Sequence, residues 1–573
     1  MAGTRILPRT RAKGPERVLI VGGGATGLVS LRNLVEEVGS DSEGSYPLFE
    51  PLLVERRDDV GGVWYWSDET YSLERSIGAD KTQGLSPLFD PKGQPHWPSP
   101  AYLNLRGNVL PEFLEFSGKK FDPPAHGETF PSLQETHQYL KGFAEPYRRY
   151  IRCGVEVLRV QELAEDQGWQ VTLKDWRSNV VEDGAGAVSF TPKVEVHKFD
   201  RVIVAAGWYD TPYYPDVPGI QEAKKAGHIH HCKHYRDSTP YVGNKVVVVG
   251  NNNSANEVAA HLAPFNSVSH PVYRSSKTAP VEKCPSLPDE RIKDVGMITN
   301  YQLVPSTNPS NRGTTLNLTL LDGSIISNVD YVILGTGYGQ KYPWLYVLTD
   351  AARSWNTGEV ELLTPDHLQG TRVPYMYNHA LYSKFPRLTL AFVGLVISTM
   401  PFSFNDLISA WITAVWSGKI TSVPASLPLR LKFETDRLSY IYNQRSKTCR
   451  STLDPNNPST YAGYHLLGGS LKDGPPSELH FASELYQELK KVDPERVQKW
   501  NWKWDQEREQ RQNQMYKSKK IWLEQNRERI RMDPFDLLGN NKARYSYLIN
   551  ELVHPDWRQK QSQRVEKEPK PNL

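Results

Sequence analysis

The sequence predicts an α/β protein with two Rossmann-like dinucleotide-binding units, the first discontinuous and the second inserted into it, followed by a mostly helical C-terminal extension. Three observations predict this. RVLIVGGGATG (17–27) joins a β-branched run to a helical pattern through glycines. KVVVVGNNNSA (245–255) repeats that outline with asparagines where glycines are expected. From about residue 426 the chain becomes charged and helical in pattern. At 573 residues it is too long for one core. The expected divisions are an arm (1–16), a first unit (17–213), an inserted unit (214–338), a return to the first unit (339–425) and the extension (426–573).

The opening MAGTRILPRTRAKGPER has no apolar core, so it reads as a flexible arm and not as a secretory signal. RVLIV (17–21) reads as a strand. GLVSLRNLVEEV (27–38) repeats apolar residues at helical spacing, and LFEPLLVERR (48–57) returns as a strand, which makes a βαβ unit. Gly22, Gly24 and Gly27 stand in GxGxxG register. The first permits the tight turn, the second lets backbone approach a pyrophosphate, and the third lets helix pack on strand. The helix start adds free N–H groups and a positive dipole end. Glu55 ends the next strand, where a ribose hydroxyl needs an acceptor. The polar insert GSDSEGSYP (39–47) lengthens the gap between them. An acid at this place disfavours a 2′-phosphate, so FAD or NAD suits the first turn and NADP does not. Further strands are expected in 155–161, 168–176 and 193–207, with 177–192 as a Gly- and charge-rich loop.

The second unit starts at Lys245. Asparagine is the non-glycine residue that best tolerates left-handed backbone, so Asn251, Asn252 and Asn253 are expected to supply a sharp turn after Gly250. Ala255 occupies the third glycine position, where alanine is an accepted variant. Asn252, at the second, is the true departure, although its amide N–H could donate to a phosphate. The next strand, SVSHPVYRSSK (267–277), ends in Arg274, Ser275 and Lys277 with no acid, which suits the 2′-phosphate of NADP. Two different dinucleotide sites in one chain imply that electrons pass from NADPH to FAD. DYVILGTGY (330–338) closes the unit as a buried strand with a glycine turn.

Composition narrows the classes. Net charge is +3, from 68 basic and 65 acidic residues well mixed, which gives no reason to expect a nucleic-acid or membrane-surface partner. The longest greasy segment, LTLAFVGLVISTMPF, is broken by Gly394, Ser398 and Pro401, so no membrane span is expected. Cys153, Cys232, Cys284 and Cys449 lie far apart with no CxxC, which fits thiols in a reducing compartment and argues against a disulfide reductase. A cytoplasmic setting is expected, with the choice between monomer and homodimer left open. His228, His230, His231 and His234 invite a metal reading. No thiolate or carboxylate pair flanks them at ligand spacing and strand alternation would split their directions, so no metal is assigned and His231 is read as a hydrogen-bonding domain linker.

These stretches together resemble the class B flavin monooxygenases, the flavin-containing monooxygenase (FMO) group, over residues 17–420. ERRDDVGGVWYW (55–66) resembles the segment after the FAD acid, carrying FAD contacts to Glu55, Gly62, Val63 and Trp64. LRGNVLPEFLEF (105–116) matches the segment whose asparagine faces the flavin, here Asn108. VIVAAGWYDTPYYPDVPG and VILGTGY resemble the two crossings between domains, with Gly207, Thr336, Gly337 and Tyr338. GHIHHCKHYRD places Gly227, His231 and Tyr235 in register with the identity motif FxGxxxHxxx(Y/F/W), with Lys225 where the motif has phenylalanine. AFVGL, with Gly394, followed by PFSFNDLISAW, resembles the FAD-covering strand and helix, without the glutamine common there.

The resemblance implies FAD at Gly22, Gly24, Gly27, Glu55, Gly62, Val63, Trp64, Asn108 and Gly394. It implies NADPH at Gly250, Asn252, Asn253, Ser254, Ala255, Arg274, Ser275, Thr336 and Gly337. It also implies that NADPH reduces FAD, that oxygen adds at flavin C4a as a hydroperoxide shielded by NADP⁺, and that one oxygen atom passes to nitrogen or sulfur of a small molecule. Asn108 would donate to the oxygenated flavin and Asn253 would shape the pocket. Tyr235 followed by Arg236 favours FMO-like chemistry over Baeyer–Villiger oxidation of a ketone. A non-catalytic nucleotide-binding protein on an inactive flavoprotein fold is the third reading, supported by Lys225 and the asparagines. The long tail and loops are associated with specialised metabolism. Within the tail, VQKWNWKWDQEREQRQNQMYKSKKIWLEQNRER (497–529) is expected to be a solvated helix whose tryptophans pack on the core, and RMDPFDLLG (531–539) is expected to dock at a cleft mouth.

Overall fold

The computed structural model describes residues 13–77, 87–102, 105–177, 180–182, 188–190, 192–277, 284–306, 313–385, 387–448, 453–467, 477–500 and 503–526. The strand Glu16–Val21 lies between Arg201–Val204 and Phe49–Glu55, parallel to both, in a seven-stranded sheet. Leu390–Phe392 and Ile151–Cys153 extend the parallel set on either side. A central parallel strand is covered on both faces, which is why its residues are apolar without alternation. Val18 and Ile20 enter one core with Leu28, Leu31 and Leu34 of the helix Ala25–Glu36 and with Phe404, Ile408 and Trp411 of the helix Pro401–Trp416. Leu19 and Val21 enter the other, with Val202, Val204, Trp169 and Tyr342. This second core lies under the five-stranded sheet of Lys193–Phe199, Trp169–Asp175, Val155–Glu162, Leu345–Leu348 and Val360–Leu362.

A second parallel sheet runs in the order Ile229–His231, Tyr331–Leu334, Val246–Val249, Val272–Ser275, Ile292–Val295. A three-stranded antiparallel sheet, Ile298–Pro305, Thr314–Leu320 and Ile325–Val329, adjoins it. Both sheets are built wholly from residues 229–334, whereas the first sheet takes strands from either side of that interval. The two crossings meet where Thr211–Pro212 pairs antiparallel with Tyr338–Gly339.

Two local expectations change. The polar insert is an antiparallel hairpin, Val38–Asp41 with Gly44–Pro47. The segment expected as a plain loop at 177–192 contains a paired Val180–Glu182 and Val188–Phe190, because valine and phenylalanine there favour extended, paired backbone.

The extension is helical at Leu427–Thr448, Glu478–Val492, Pro494–Gln498 and Gln506–Gln525. Asp493 caps the third of these through the Arg496 N–H, with proline at its first position. Leu485, Leu489, Trp500, Trp504 and Met515 share the core of the two helices on the first sheet. The extension therefore completes that core. RMDPFDLLG lies outside the described residues. No described helix is long and apolar enough to cross a membrane.

Candidate dinucleotide and flavin site

At the first turn Gly22 has φ +110°, and a Cβ there would lie 2.6 Å from the Ala205 carbonyl oxygen. A Cβ on Gly27 would lie 1.9 Å from the Gly22 oxygen. Gly24 is extended (φ −80°, ψ −174°), so space and not conformation requires it: its Cβ would meet the Gly62 Cα at 3.2 Å. The Gly61 N–H donates to the Gly23 oxygen, and Gly62–Trp64 forms a short helical turn against the glycine turn. Glu55 is buried and accepts from the Gly23 N–H at 2.7 Å and the Arg57 N–H at 2.9 Å. Gly394 (φ +97°) abuts the start of the same helix, where a Cβ would lie 2.9 Å from Thr26 Cγ2. The structure thus gathers Gly22, Gly24, Gly27, Glu55, Gly62, Val63, Trp64 and Gly394 around one helix N-terminus with no side-chain cap.

Asn108 follows Gly107, whose N–H donates to the Pro131 oxygen. Ser132 caps the next helix, Leu133–Ala144, in a capping box with Glu135, and His137 of that helix bonds the Val60 oxygen beside Gly61. Asn108 Oδ1 is buried with no hydrogen-bond partner among the described residues, and so is Oδ1 of Asn405 near Gly394. A buried acceptor left so costs about 1–3 kcal/mol, which makes both atoms places for a ligand's donors. A flavin carries such donors in its ring N–H and ribityl hydroxyls, so these residues fit it.

The second turn departs from the sequence reading. Gly250 has φ +124°, but none of Asn251, Asn252 and Asn253 is left-handed. Asn252 caps the helix Asn253–Leu262 with φ −93° and ψ 179°, nearly the backbone of Gly24. The bend is made at Gly250 alone. Asn252 is tolerated because its position asks only for extended backbone, and it is exposed. Asn252, Asn253 and Ser254 open the helix N-terminus with no side-chain cap. Ala255 is wholly buried and has room because Gly335 faces it, where a Cβ would sit 2.8 Å from the alanine's own.

Arg274 is buried and closely held. Its Nε and Nη2 donate to Asp294 at 2.6 and 2.9 Å, and Nη1 donates to Asn256 Oδ1 at 3.0 Å and Ser286 Oγ at 2.7 Å. Asp294 itself is 62% exposed. Ser275 is buried and donates to the Gly296 oxygen. Sequence reasoning missed Asn256, Ser286 and Asp294; Asp294 becomes visible only through the register that pairs it with Arg274.

Thr336 and Gly337 sit at the crossing. Thr336 Oγ1 donates to the Tyr213 oxygen at 2.6 Å, and the Gly337 oxygen accepts from the Tyr213 N–H and from His231 Nε2 at 3.0 Å. His231 Nδ1 accepts from the Lys233 N–H, so the proton lies on Nε2. Burial lowers the His231 pKa to about 4. Asp210 beside it sits well below the usual carboxylate range: burial alone would raise it, but Arg56 and Lys233 overcome that. His228 and His230 bond the Asp330 carbonyl, Thr314 and Tyr241, each with its own partners. Lys225 is exposed at the end of a short helix, a position that imposes no apolar requirement.

Residues 97–102 touch both turns. Arg57 Nε donates to the Trp97 oxygen, Ser99 Oγ to the Val63 oxygen, and Tyr102 Oη to Glu257 on the helix of the second turn. Against this geometry, comparisons with known proteins give one answer. The pyridine nucleotide-disulphide oxidoreductase family model matches residues 114–378. The flavin-containing monooxygenase ustF2 of Aspergillus flavus is 27% identical over 456 residues, 73% of this chain and 85% of that protein. The thiol-specific monooxygenase of Saccharomyces cerevisiae is 24% identical over 427 residues, covering 74% and 80%. Among solved structures, S-allyl-L-cysteine S-oxygenase from Allium sativum matches with a TM-score of 0.57 at 22% identity, over 93% of this chain and 99% of that one. The chain is an FMO-like flavin monooxygenase. In this monooxygenase the three described cysteines are free thiols, Cys232 being buried and its pKa pushed up by that burial to about 12.

Proposed function

We propose that the monooxygenase holds FAD at the first turn, in the unit formed by 17–213 and 339–425, and NADPH at the second, in 214–338. We infer further that it passes one oxygen atom from O₂ to a nucleophilic nitrogen or sulfur of a small organic molecule, in the setting of specialised metabolism. The observation that supports this is the stretch 97–102, which runs from Arg57 at the end of the first turn's acidic strand to Glu257 on the helix of the second. FAD, once reduced by NADPH, supplies the oxygen activation. The chain's own part is to bind, orient and keep dry. The two uncapped helix N-termini offer N–H groups to pyrophosphate. On this reading the unpartnered Asn108 amide bonds the flavin and Asn253 shapes the oxygenation pocket. Arg274 offers the guanidinium for a 2′-phosphate once the exposed Asp294 is displaced. Tyr235 Oη is spent on Ser238, and the chemistry asks for no acid–base side chain at the substrate.

The test is direct. Purified protein is denatured and its released chromophore identified, and NADPH-dependent oxygen uptake is followed with an amine, a thioether and a cyclic ketone. FAD release with sulfoxide or N-oxide formation is expected. A colourless protein unable to take up FAD, or conversion of the ketone alone, would overturn the reading.

A further inference from the structure

The extension brings a cation into the region of the candidate site. Lys519, on the helix Gln506–Gln525, is only 8% exposed. Its Nζ lies 4.8 Å from the ring centres of both Phe130 and Trp522. Among the described residues no oxygen accepts a hydrogen bond from this ammonium and no carboxylate pairs with it. The neighbouring charges are already engaged. Arg106 donates to the Phe130 oxygen and pairs with Glu128 at 3.3 Å, Trp522 Nε1 donates to Glu128, and Glu257 accepts from Tyr102. Burial lowers the Lys519 pKa, with Glu257 raising it and Arg106 lowering it further. Those two groups fix its place: Glu257 belongs to the helix of the second turn, and Arg106 stands two residues before Asn108.

An ammonium on so deeply buried a side chain keeps little of its water, and two aromatic faces replace only a small part of that hydration, so the site suits an anion. We propose that Lys519 is a substrate-binding residue and that the substrate carries a carboxylate. The inference rests on the oxygen-transfer reading above, since it takes the side marked by Arg106, Glu128 and Phe130 as the substrate's approach. A phosphate of NADPH would offer similar chemistry, but the cofactor's extra phosphate has its own candidate in Arg274.

The experiment uses the full-length, FAD-loaded protein with (benzylthio)acetate and its methyl ester, comparing wild type, Lys519→Gln and Lys519→Arg by sulfoxide formation and by calorimetric binding without NADPH. Wild type should prefer the acid. Lys519→Gln should raise KM for the acid roughly tenfold or more, with a much smaller change for the ester, and Lys519→Arg should keep the preference. Equal handling of acid and ester by wild type, or a preference that survives in Lys519→Gln, would overturn the proposal. So would a rise in KM for NADPH with the acid preference intact, which would assign the ammonium to the cofactor. Lys519-dependent binding of the acid without oxidation of either thioether would sink the oxygen-transfer reading and leave this inference standing.

Discussion

Asn108 buries an amide oxygen that no described group satisfies, and a folded chain retains such an atom at a cost unless a ligand answers it. Replacing Asn108 with alanine removes the bond and the cost together. The variant should therefore stay folded and yellow, keep oxidising NADPH, and release hydrogen peroxide, with product formation down by about 10²-fold. Full coupling of NADPH oxidation to product would reject the role. Arg274 poses a different problem, because it holds four hydrogen bonds before any cofactor arrives. Arg274→Ala should raise KM for NADPH far more than for NADH. It should also cost about 1–3 kcal/mol of stability by orphaning Asn256 Oδ1, so the variant that separates binding from architecture is Asp294→Asn. Loosening the carboxylate's grip should lower KM for NADPH and leave NADH unchanged. Parallel changes for both nucleotides in both variants would confine Arg274 to an architectural part.

At the scale of elements, what could be read in the sequence follows from how local its cause is. The βαβ units were legible because a buried parallel strand and a glycine turn are written in adjacent residues. The asparagine turn was legible in outline and misread in mechanism: its backbone is extended at Asn252, and only the Gly24–Gly62 approach, absent from the sequence pattern, explains why the first turn needs glycine there. The extension was legible as helical with packed tryptophans, but Trp500 and Trp504 pack from outside the helices Pro494–Gln498 and Gln506–Gln525 and not from one continuous helix, and its contacts join residues hundreds of positions apart. The helix Pro401–Trp416 shows the same limit. Its Asp406 reads as an anomaly in an apolar run, yet it is wholly buried and ion-paired with Arg32 at 2.5 Å, accepting also from Ser117 N and Oγ. Asp406→Ala would strand the Arg32 charge and should lower stability by about 3–5 kcal/mol, read from the urea midpoint. Arg32→Met with Asp406→Leu should recover most of that loss. A double variant as unstable as the single one would show that the pair does more than balance charge.

Across the whole molecule, buried histidines join the modules. His231 fastens the inserted unit to the crossing at Gly337. His465 fastens the extension to the first unit: its Nε2 accepts from the Val373 N–H, so its Nδ1 carries the proton and donates to His379 Nδ1 at 3.0 Å. Burial lowers His230 and His231 to about 4 and His379 to about 3, and His465, lowered by burial and by the charges of Arg437 and Arg372, lies well below its ordinary value. The unfolded chain takes up these protons near its ordinary value of about 6.5, and the folded chain resists them until near 4 or below. Unfolding therefore binds protons in that window. Stability is full above about pH 6.5 and falls as pH drops toward 4, by up to about 1.4 kcal/mol per pH unit for each such histidine. The thermal midpoint should descend steeply over this interval, and the Trp504 and Trp522 environments should loosen with it as the extension separates from the core. His465→Gln should make the descent shallower by one proton's share. A midpoint level from pH 7 to pH 5 would mean that the native state protonates these imidazoles freely, and that the modules are not held together by neutral histidines.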